Sequence, residues 1–464
     1  MKEHYEFVVI GGGPAGLCAA TLAAEQGVET ALLDEQSAPG GQIYRATEAI
    51  PQQRAEQLGS EYQHGAPLIR AFRASGAAYF PYTKTWSLNH RREIGLLRKH
   101  QPQMITADQV LIAGGAMERP LPFPGWTLPG VMTAGAGQIL FKANGIVPAD
   151  GVVLAGSGPL LLLLAWQYLH AGVQIKAVLN TAPSINRMRA LPHLAKALLA
   201  HHYVTKGLGY QQDLDRAGIV TRNGVRELRA HGAQALQAVT FRHKGQEQHL
   251  ETELLLVHFG VIPNTHLSQA AGCEHYWDKR QQCRRPRLDL WGHSSVNGIL
   301  VAGDGAGIGG ARTAEHAGRL AALQTLHELG RLSEAERDRM GRDDRRWMLE
   351  ELRIRPFLES LFHIPKNMLT VPDDDTLVCR CEEVSAGAIR AAVAEGHRDS
   401  NQVKFITRCG MGPCQGRQCA DSVSHVVAAA TGGSLEQSGH YRVRPPVKPL
   451  TLGQLAALYP DETE

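Results

Sequence analysis

Three observations predict an α/β protein with two Rossmann-like dinucleotide-binding domains and a small helical domain at its C-terminus. Residues 7–16, FVVIGGGPAG, carry an apolar strand into a glycine turn that opens an alanine-rich helix. Residues 151–161, GVVLAGSGPLL, repeat the pattern. Five of the eight cysteines fall between Cys379 and Cys419, after 378 residues that hold only three.

At 464 residues the chain exceeds what one core organises, so two or three domains are expected. An apolar share of 43% and a charged share of 20% are ordinary for a globular protein. A net charge of +3 gives no ground for nucleic acid or an anionic membrane as partner. The opening MKEHYE is too short and too acidic for a secretory signal. No apolar run has the ~20 residues that span a bilayer; the five leucines at 160–164 belong at the start of a buried helix. The expected location is the cytoplasm, with peripheral association with the inner membrane through a partner left open.

In the first glycine turn, Gly11 permits the tight bend and Gly13 lets a pyrophosphate approach the backbone. Pro14 and Ala15 follow, and Gly16 lets helix and strand pack closely. The helix start offers free N–H groups and a partial positive charge to a diphosphate. Gly27 ends the helix, and Thr30–Leu33 form the second strand. Asp34, 18 residues after Gly16, is the first choice to accept hydrogen bonds from an adenosine ribose, with Glu35 second. A lone glycine triplet is weak, but strand, triplet, helix, strand and acid in this order are specific.

Residues 298–307, GILVAGDGAG, read as a further strand ending in Gly303-Asp304, before a helix over about 313–326. Here the chain resembles the two-dinucleotide-domain flavoproteins of the thioredoxin reductase and glutathione reductase class. The resemblance implies FAD in the first domain, with Asp304 on the ribityl–phosphate portion of the flavin. Residues 110–116, VLIAGGA, resemble the connecting strand of that class, usually Ala-Thr-Gly; Ala113-Gly114-Gly115 lacks the hydroxyl. Gly40-Gly41-Gln42 resembles the loop that passes near the flavin. No C-x-x-C lies near the second glycine turn and no cysteine lies on the 40–42 loop, which argues against disulfide reduction.

The second turn offers Gly156 and Gly158, but its third glycine position holds Leu161. Its second strand ends in Asn180, where an NAD site has an acid, and no arginine pair replaces it for NADP. NAD, ATP and a retained fold without nucleotide are all open. Residues 257–265 resemble the return to the FAD domain. Between 180 and 256, strands and turns are expected, with Asn223-Gly224 a hairpin signal.

Residues 331–355 are charged and helical in pattern, a solvated connecting helix. Pro356, Pro365 and Pro372 mark a linker of little regular structure. Then comes Cys379-x-Cys381, with Ser385 a helix cap for residues 386–395. The second cysteine group is TRCGMGPCQGRQC, residues 407–419, before a helix to about Ala430. Clustered thiolates without a secretory context point to a metal or iron–sulfur site. Gly410, Gly412 and Gly416 give backbone N–H groups room to reach sulfur. Cys379 and Cys381 are one pair. Cys414 and Cys419 are the preferred second pair, with Cys414 starting a helix that presents Cys419; Cys409 with Cys414 is the alternative. A structural zinc site is the competing assignment. The domain resembles the bacterioferritin-associated-ferredoxin-like [2Fe–2S] domain, although the common form ends in C-x2-C and only x4 spacings occur here.

Residues 118–133, ERPLPFPGWTLPGVMT, give the crossing between domains a distinctive text. With it, nearly the whole chain resembles the larger subunits of heteromeric flavin-dependent amine and imino-acid oxidoreductases. Members include those of heterotetrameric sarcosine oxidase, opine oxidase, D-hydroxyproline dehydrogenase and hydrogen cyanide synthase. The resemblance implies a smaller FAD-containing subunit that oxidises the amine, FMN at the subunit interface, a possible small third subunit and an external electron acceptor. No substrate base is assigned to this chain; His258, His293 and His316 read as hydrogen-bonded structural histidines. The expected organisation is a discontinuous FAD domain at 1–125 and 265–330, an inserted dinucleotide fold at 126–264 and a connector at 331–374. A [2Fe–2S] domain at 375–435 and a tail at 436–464 complete it.

Overall fold

The computed structural model describes residues 1–458. The last six residues of the expected tail lie outside that range. The first sheet is organised by His4–Ile10, in which Phe7, Val8 and Val9 are fully buried. A strand covered on both faces must be apolar without alternation, and residues 7–10 are. It pairs in parallel with Thr30–Leu33 on one side and with the end of Gln101–Ile112 on the other. Ala78–Phe80 extends the sheet beyond Thr30–Leu33, and Ile299–Val301 adds beyond Ile112. The start of the same long strand leaves this layer to form an antiparallel meander with Glu93–Arg98 and Thr83–Leu88.

Two helices cover one face of this sheet, Pro14–Glu25 and Ala311–Glu328. They cross so closely that a Cβ at Gly318 would stand 2.1 Å from the Ala15 carbonyl oxygen. The small residues Ala19, Ala20 and Ala23 are buried on the first of them, which explains its alanine-rich sequence.

The second sheet is wholly parallel, in the order Thr221–Asn223, Ile175–Asn180, Val152–Ser157, Leu255–Phe259, Val131–Thr133. Helix Pro159–His170 follows its central strand and buries Leu161 and Leu164. The expectation of strands and turns after Asn180 fails over 185–216. Helices Ile185–Ala190, Leu194–Leu198 and His201–Arg216 fill that stretch. A parallel neighbour can be reached only by a long crossover, and the 16-residue helix provides it. Asn223-Gly224 is not a hairpin turn: the strands on either side belong to different sheets. The hairpin of this region lies at Lys244-Gly245, both at positive φ (51° and 83°), between Ala238–His243 and Gln246–Glu251.

The chain leaves the first domain along Ala116–Glu118 and returns along Val261–Pro263, and these two strands pair with each other antiparallel. Beyond residue 330 the single connecting helix is two, Glu334–Met340 and Arg342–Glu351, broken at Gly341. They are not merely solvated, because the guanidinium groups of Arg337 and Arg345 sit 4.4 and 4.6 Å from the Trp291 ring centroid. Two of the three prolines stand at helix starts, while Pro372 lies in irregular structure. Pro356 lies in the first turn of Arg355–Leu361, and Pro365 immediately precedes Lys366–Leu369.

The C-terminal domain packs Ala386–Ala394, Ser400–Thr407 and Ala420–Thr431 around Ile389, Val403, Val423 and Val427. The Ser385 hydroxyl accepts from Ala388 N at 3.2 Å and caps the first helix. The third of these helices begins after Cys419, not at Cys414; Gln415 (φ 54°) and Gly416 (φ 79°) hold that stretch in a left-handed turn. Among the described residues no helix is long and apolar enough to cross a membrane.

Candidate nucleotide and metal sites

The first site forms where strands His4–Ile10, Gln101–Ile112 and Ile299–Val301 end side by side. Gly11 has φ 114°, and a Cβ there would lie 2.4 Å from Ala113 O. A Cβ at Gly16 would lie 1.9 Å from Gly11 O. Gly41 folds over Gly13, where its own Cβ would be 2.7 Å from the Gly13 Cα, and Gly40 N donates to Gly12 O at 2.7 Å. The 40–42 loop is thereby seated on the glycine turn. The helix that starts at Pro14 has no side-chain cap, which leaves its first N–H groups free for an anion.

The two acids separate clearly. Asp34 is 7% exposed and turned toward Gly12. Its Oδ1 accepts from Gln36 N at 2.9 Å, while its Oδ2 is buried without a partner. Burial raises its pKa, and the unpartnered Oδ2 is an acceptor that a ribose hydroxyl would satisfy. Glu35 instead faces outward to an ion pair with Lys448. Gly303 and Asp304 stand across the turn from these residues. A Cβ at Gly303 would be 3.0 Å from that of Ala15. Asp304 Oδ1 accepts from Gly309 N and Gly310 N, both at 2.9 Å, and so fixes the start of helix Ala311–Glu328. Ala113 is buried and Gly114 exposed at the mouth of the site. The orphaned Asp34 oxygen and the glycine cradle fit a dinucleotide such as FAD.

One participant went unpredicted. Lys142, on helix Ala134–Asn144 of the inserted domain, donates from Nζ to Gln42 O at 3.2 Å. It is 4% exposed, and burial, with Arg45 nearby, lowers its pKa to about 7. A single lysine in an apolar helical stretch was the only sequence signal.

At the second glycine turn, Gly156 and Gly158 have φ of 127° and 130°. A Cβ at Gly156 would collide with His258 O at 1.8 Å, and one at Gly158 would stand 3.0 Å from the His258 ring. The Asn180 amide is already used: Nδ2 donates to Asn223 Oδ1 at 2.9 Å and Oδ1 accepts from Ala182 N at 3.0 Å. Leu161, at the third glycine position, is buried. His258 Nδ1 pairs with Glu118 Oε1 at 2.7 Å, and Glu118 Oε2 accepts from Gly135 N at 2.8 Å. His316 pairs with Asp344 at 2.7 Å and His293 with Glu328 at 3.5 Å.

All five C-terminal cysteines gather in one place, in two groups. The sulfurs of Cys379, Cys409 and Cys419 lie within 4.8 Å of one another, all buried. Cys381 and Cys414 are partly exposed and adjoin each other. Cys409, which the spacing left as a spare, thus sits against the inner pair Cys379–Cys419. S–H donation from Cys409 and Cys419 lowers the Cys379 pKa to about 2, helped by the N–H groups of Gly410 and Glu382. The same pairing pushes Cys409 up to about 12. Tyr441 is buried beside Cys409 and Cys419, and its ring occupies the space that Cβ atoms at Gly410 and Gly416 would need, at 2.3 and 2.6 Å. Thiolates, backbone donors and small residues together form a donor set that suits a metal centre.

This centre is docked on the crossing strands. Trp126 Nε1 donates to Leu377 O at 2.7 Å, and His266 Nε2 donates to Gln415 O at 3.2 Å. Beside His266 lies a cavity of about 20 Å³ lined by Met117, Ile262, His266, Arg417, Asp421 and His440, which is room for one water. Burial lowers the pKa of His266, His275 and His425 to about 4 each, from 6.5. The unfolded chain then binds more protons between those values. Stability from these groups is complete above pH 6.5 and is lost as pH falls toward 4. Thermal melts from about pH 7.5 to about 4.5 are expected to show Tm falling mainly below about 6.5; a flat profile would contradict the burial.

Comparison with known proteins agrees with this layout. Residues 5–321 match the family model described as pyridine nucleotide-disulphide oxidoreductase, and residues 374–458 match the sarcosine oxidase A3 domain. The chain is 42% identical to the A subunit of opine oxidase from Rhizobium meliloti, over 99% of this chain and 88% of that protein. It is 34% identical to the hydrogen cyanide synthase subunit HcnB of Pseudomonas aeruginosa, over 96% of each. Among solved structures, L-proline dehydrogenase from P. horikoshii superposes with a TM-score of 0.72 at 19% identity, covering 98% of this chain and 79% of that one. T. acidophilum thioredoxin reductase superposes with a TM-score of 0.51 at 20% identity, covering 71% of this chain and 99% of that one. The chain belongs to the family that holds the A subunits of opine oxidases and the HcnB subunits of hydrogen cyanide synthases, oxidoreductase subunits built on the pyridine nucleotide-disulphide oxidoreductase fold.

Proposed function

We propose that this chain is the electron-handling subunit of a heteromeric, flavin-dependent amine or amino-acid dehydrogenase. A smaller FAD-containing partner oxidises the C–N bond, and electrons pass through flavin and a [2Fe–2S] cluster held here to an external acceptor. The observation that carries this reading is the joining, in one chain, of a glycine-turn site with an orphaned Asp34 oxygen and a five-cysteine centre docked on the crossing strands. Flavin takes an electron pair and an iron–sulfur cluster moves single electrons, so the two together turn a two-electron oxidation into one-electron steps.

Gly11, Gly13, Pro14, Ala15 and Gly16 would seat the FAD diphosphate and Asp34 its ribose. Gly303 and Asp304 would face the ribityl–phosphate portion, with Gly41, Gln42, Ala113 and Gly114 around the ring. Cys379 with Cys419 and Cys381 with Cys414 would hold the cluster, an inner and an outer pair. FMN would lie at the interface with the partner. The substrates in view are opines and sarcosine, after the names of relatives, together with glycine with cyanide formation, proline and D-hydroxyproline.

The second reading is an autonomous NAD(P)H-dependent reductase, which rests on Gly156 and Gly158. The occupied Asn180 amide and buried Leu161 weigh against it. Anaerobic NADH added to the purified chain separates the two. The proposal expects the flavin to stay oxidised, whereas reduction by substrate requires the partner subunit. Rapid flavin bleaching by NADH alone would overturn it.

A further inference from the structure

The flavin-side segment and the cysteine loop are 149 residues apart in sequence yet share one direct hydrogen bond, His266 Nε2 to Gln415 O. On the flavin side, Asn264 N donates to Gly115 O at 2.9 Å. His266 therefore follows by two residues a position tied to the mouth of the first glycine-turn site. Thr265 starts the short helix His266–Ala270, and Gln269 Nε2 donates to its hydroxyl at 2.7 Å, which fixes the backbone that carries the imidazole.

On the other side, Gln415 lies between Cys414 and Gly416. It holds φ 54°, a left-handed conformation that a side-chain-bearing residue keeps only where its surroundings impose it. The loop braces itself: Gln415 N donates to Gly412 O at 2.8 Å, Gln415 Nε2 to Met411 O at 3.3 Å, and Arg417 Nε to Cys414 O at 3.1 Å. The Gln415 carbonyl is the group this turn presents to the flavin domain, and His266 receives it.

Resting on the function proposed above, we infer that His266 is the positioning residue that holds the cysteine loop against the flavin-side segment and sets the contact through which the two centres exchange electrons. Each passage oxidises the flavin by one electron and reduces the iron–sulfur centre by one, and an external one-electron acceptor reoxidises that centre. Beside this contact lies the small cavity that Met117 and Ile262 line together with Arg417, Asp421 and His440.

The test compares H266Q, which keeps an N–H donor for the Gln415 carbonyl, with H266L, which removes it. Both are made in the full chain purified with its partner. Iron content, the spin-resonance spectrum of the reduced centre, Tm and the anaerobic rate of flavin-to-cluster transfer are measured, with amide exchange over residues 409–419. H266L is expected to slow transfer severalfold, with iron and Tm unchanged and exchange accelerated. H266Q is expected to restore both. Wild-type transfer rates and exchange in H266L would overturn the role of His266. So would joint loss of iron and Tm that H266Q fails to rescue. Absence of iron from the wild-type chain would instead contradict the proposed function, and amide exchange would still test the contact.

Discussion

C379S is expected to empty the C-terminal centre of iron and acid-labile sulfide. Cys379 belongs both to the Cys379-x-Cys381 pair and to the buried group whose sulfurs lie within 4.8 Å of one another. It is the sulfur on which S–H and backbone N–H donors converge, and it is the one held as thiolate. A serine hydroxyl keeps the shape but does not ionise at neutral pH, so it offers a poor ligand. The loss should reach beyond redox chemistry, because Cys379, Cys409 and Cys419 are part of the small domain's core. A centre that binds only the folded state contributes its binding free energy to folding. C379S is expected to lower the Tm of this domain as well as its iron. In contrast, C409A should retain iron and C414A should lose it. C381S should abolish reduction of the external acceptor while flavin in the partner is still reduced by substrate. Iron and sulfide analysis of these variants decides the ligand set; full occupancy in C379S would refute it.

G11A is expected to yield a chain that binds no flavin and folds poorly. The added methyl would stand 2.4 Å from Ala113 O at a φ of 114°. Backbone cannot yield there without separating the strands that end at Ile10 and Ile112. Strain and overpacking together should cost about 2–4 kcal/mol. The control is G27A, where φ is 77° but nothing stands within 4 Å. It should cost only about 1 kcal/mol and keep its flavin. The ratio of visible to ultraviolet absorbance and the Tm measure both effects. A yellow, stable G11A protein would contradict the geometry of the first site.

The parts of this molecule that were legible in its sequence are those built from local contacts. The strand, glycine turn, helix, strand and acid follow one another within residues 7–34, and the Ser385 cap depends on Ala388 three residues away. What was not legible depends on distant partners. Residues 185–216 carry weak apolar periodicity, and their helices follow from the need to reach a parallel neighbour strand. Pro356 and Pro365 read as breakers in isolation but occupy helix starts, where a missing N–H does no harm. Lys142 and His266 acquire their roles only through carbonyls 100 and 149 residues away. The place of Cys409 beside Cys379 and Cys419 likewise goes with the positive-φ turn at Gln415 and Gly416, after which helix Ala420–Thr431 begins.

A flavin and an iron–sulfur centre held together in this one chain are what the proposed electron route requires. Iron, acid-labile sulfide, zinc and flavin should be quantified on the full chain purified without oxygen. The expected result is about two iron atoms and two sulfides per chain, together with bound FAD. Zinc in place of iron, or iron and sulfide both absent from a chain that carries flavin, would contradict it.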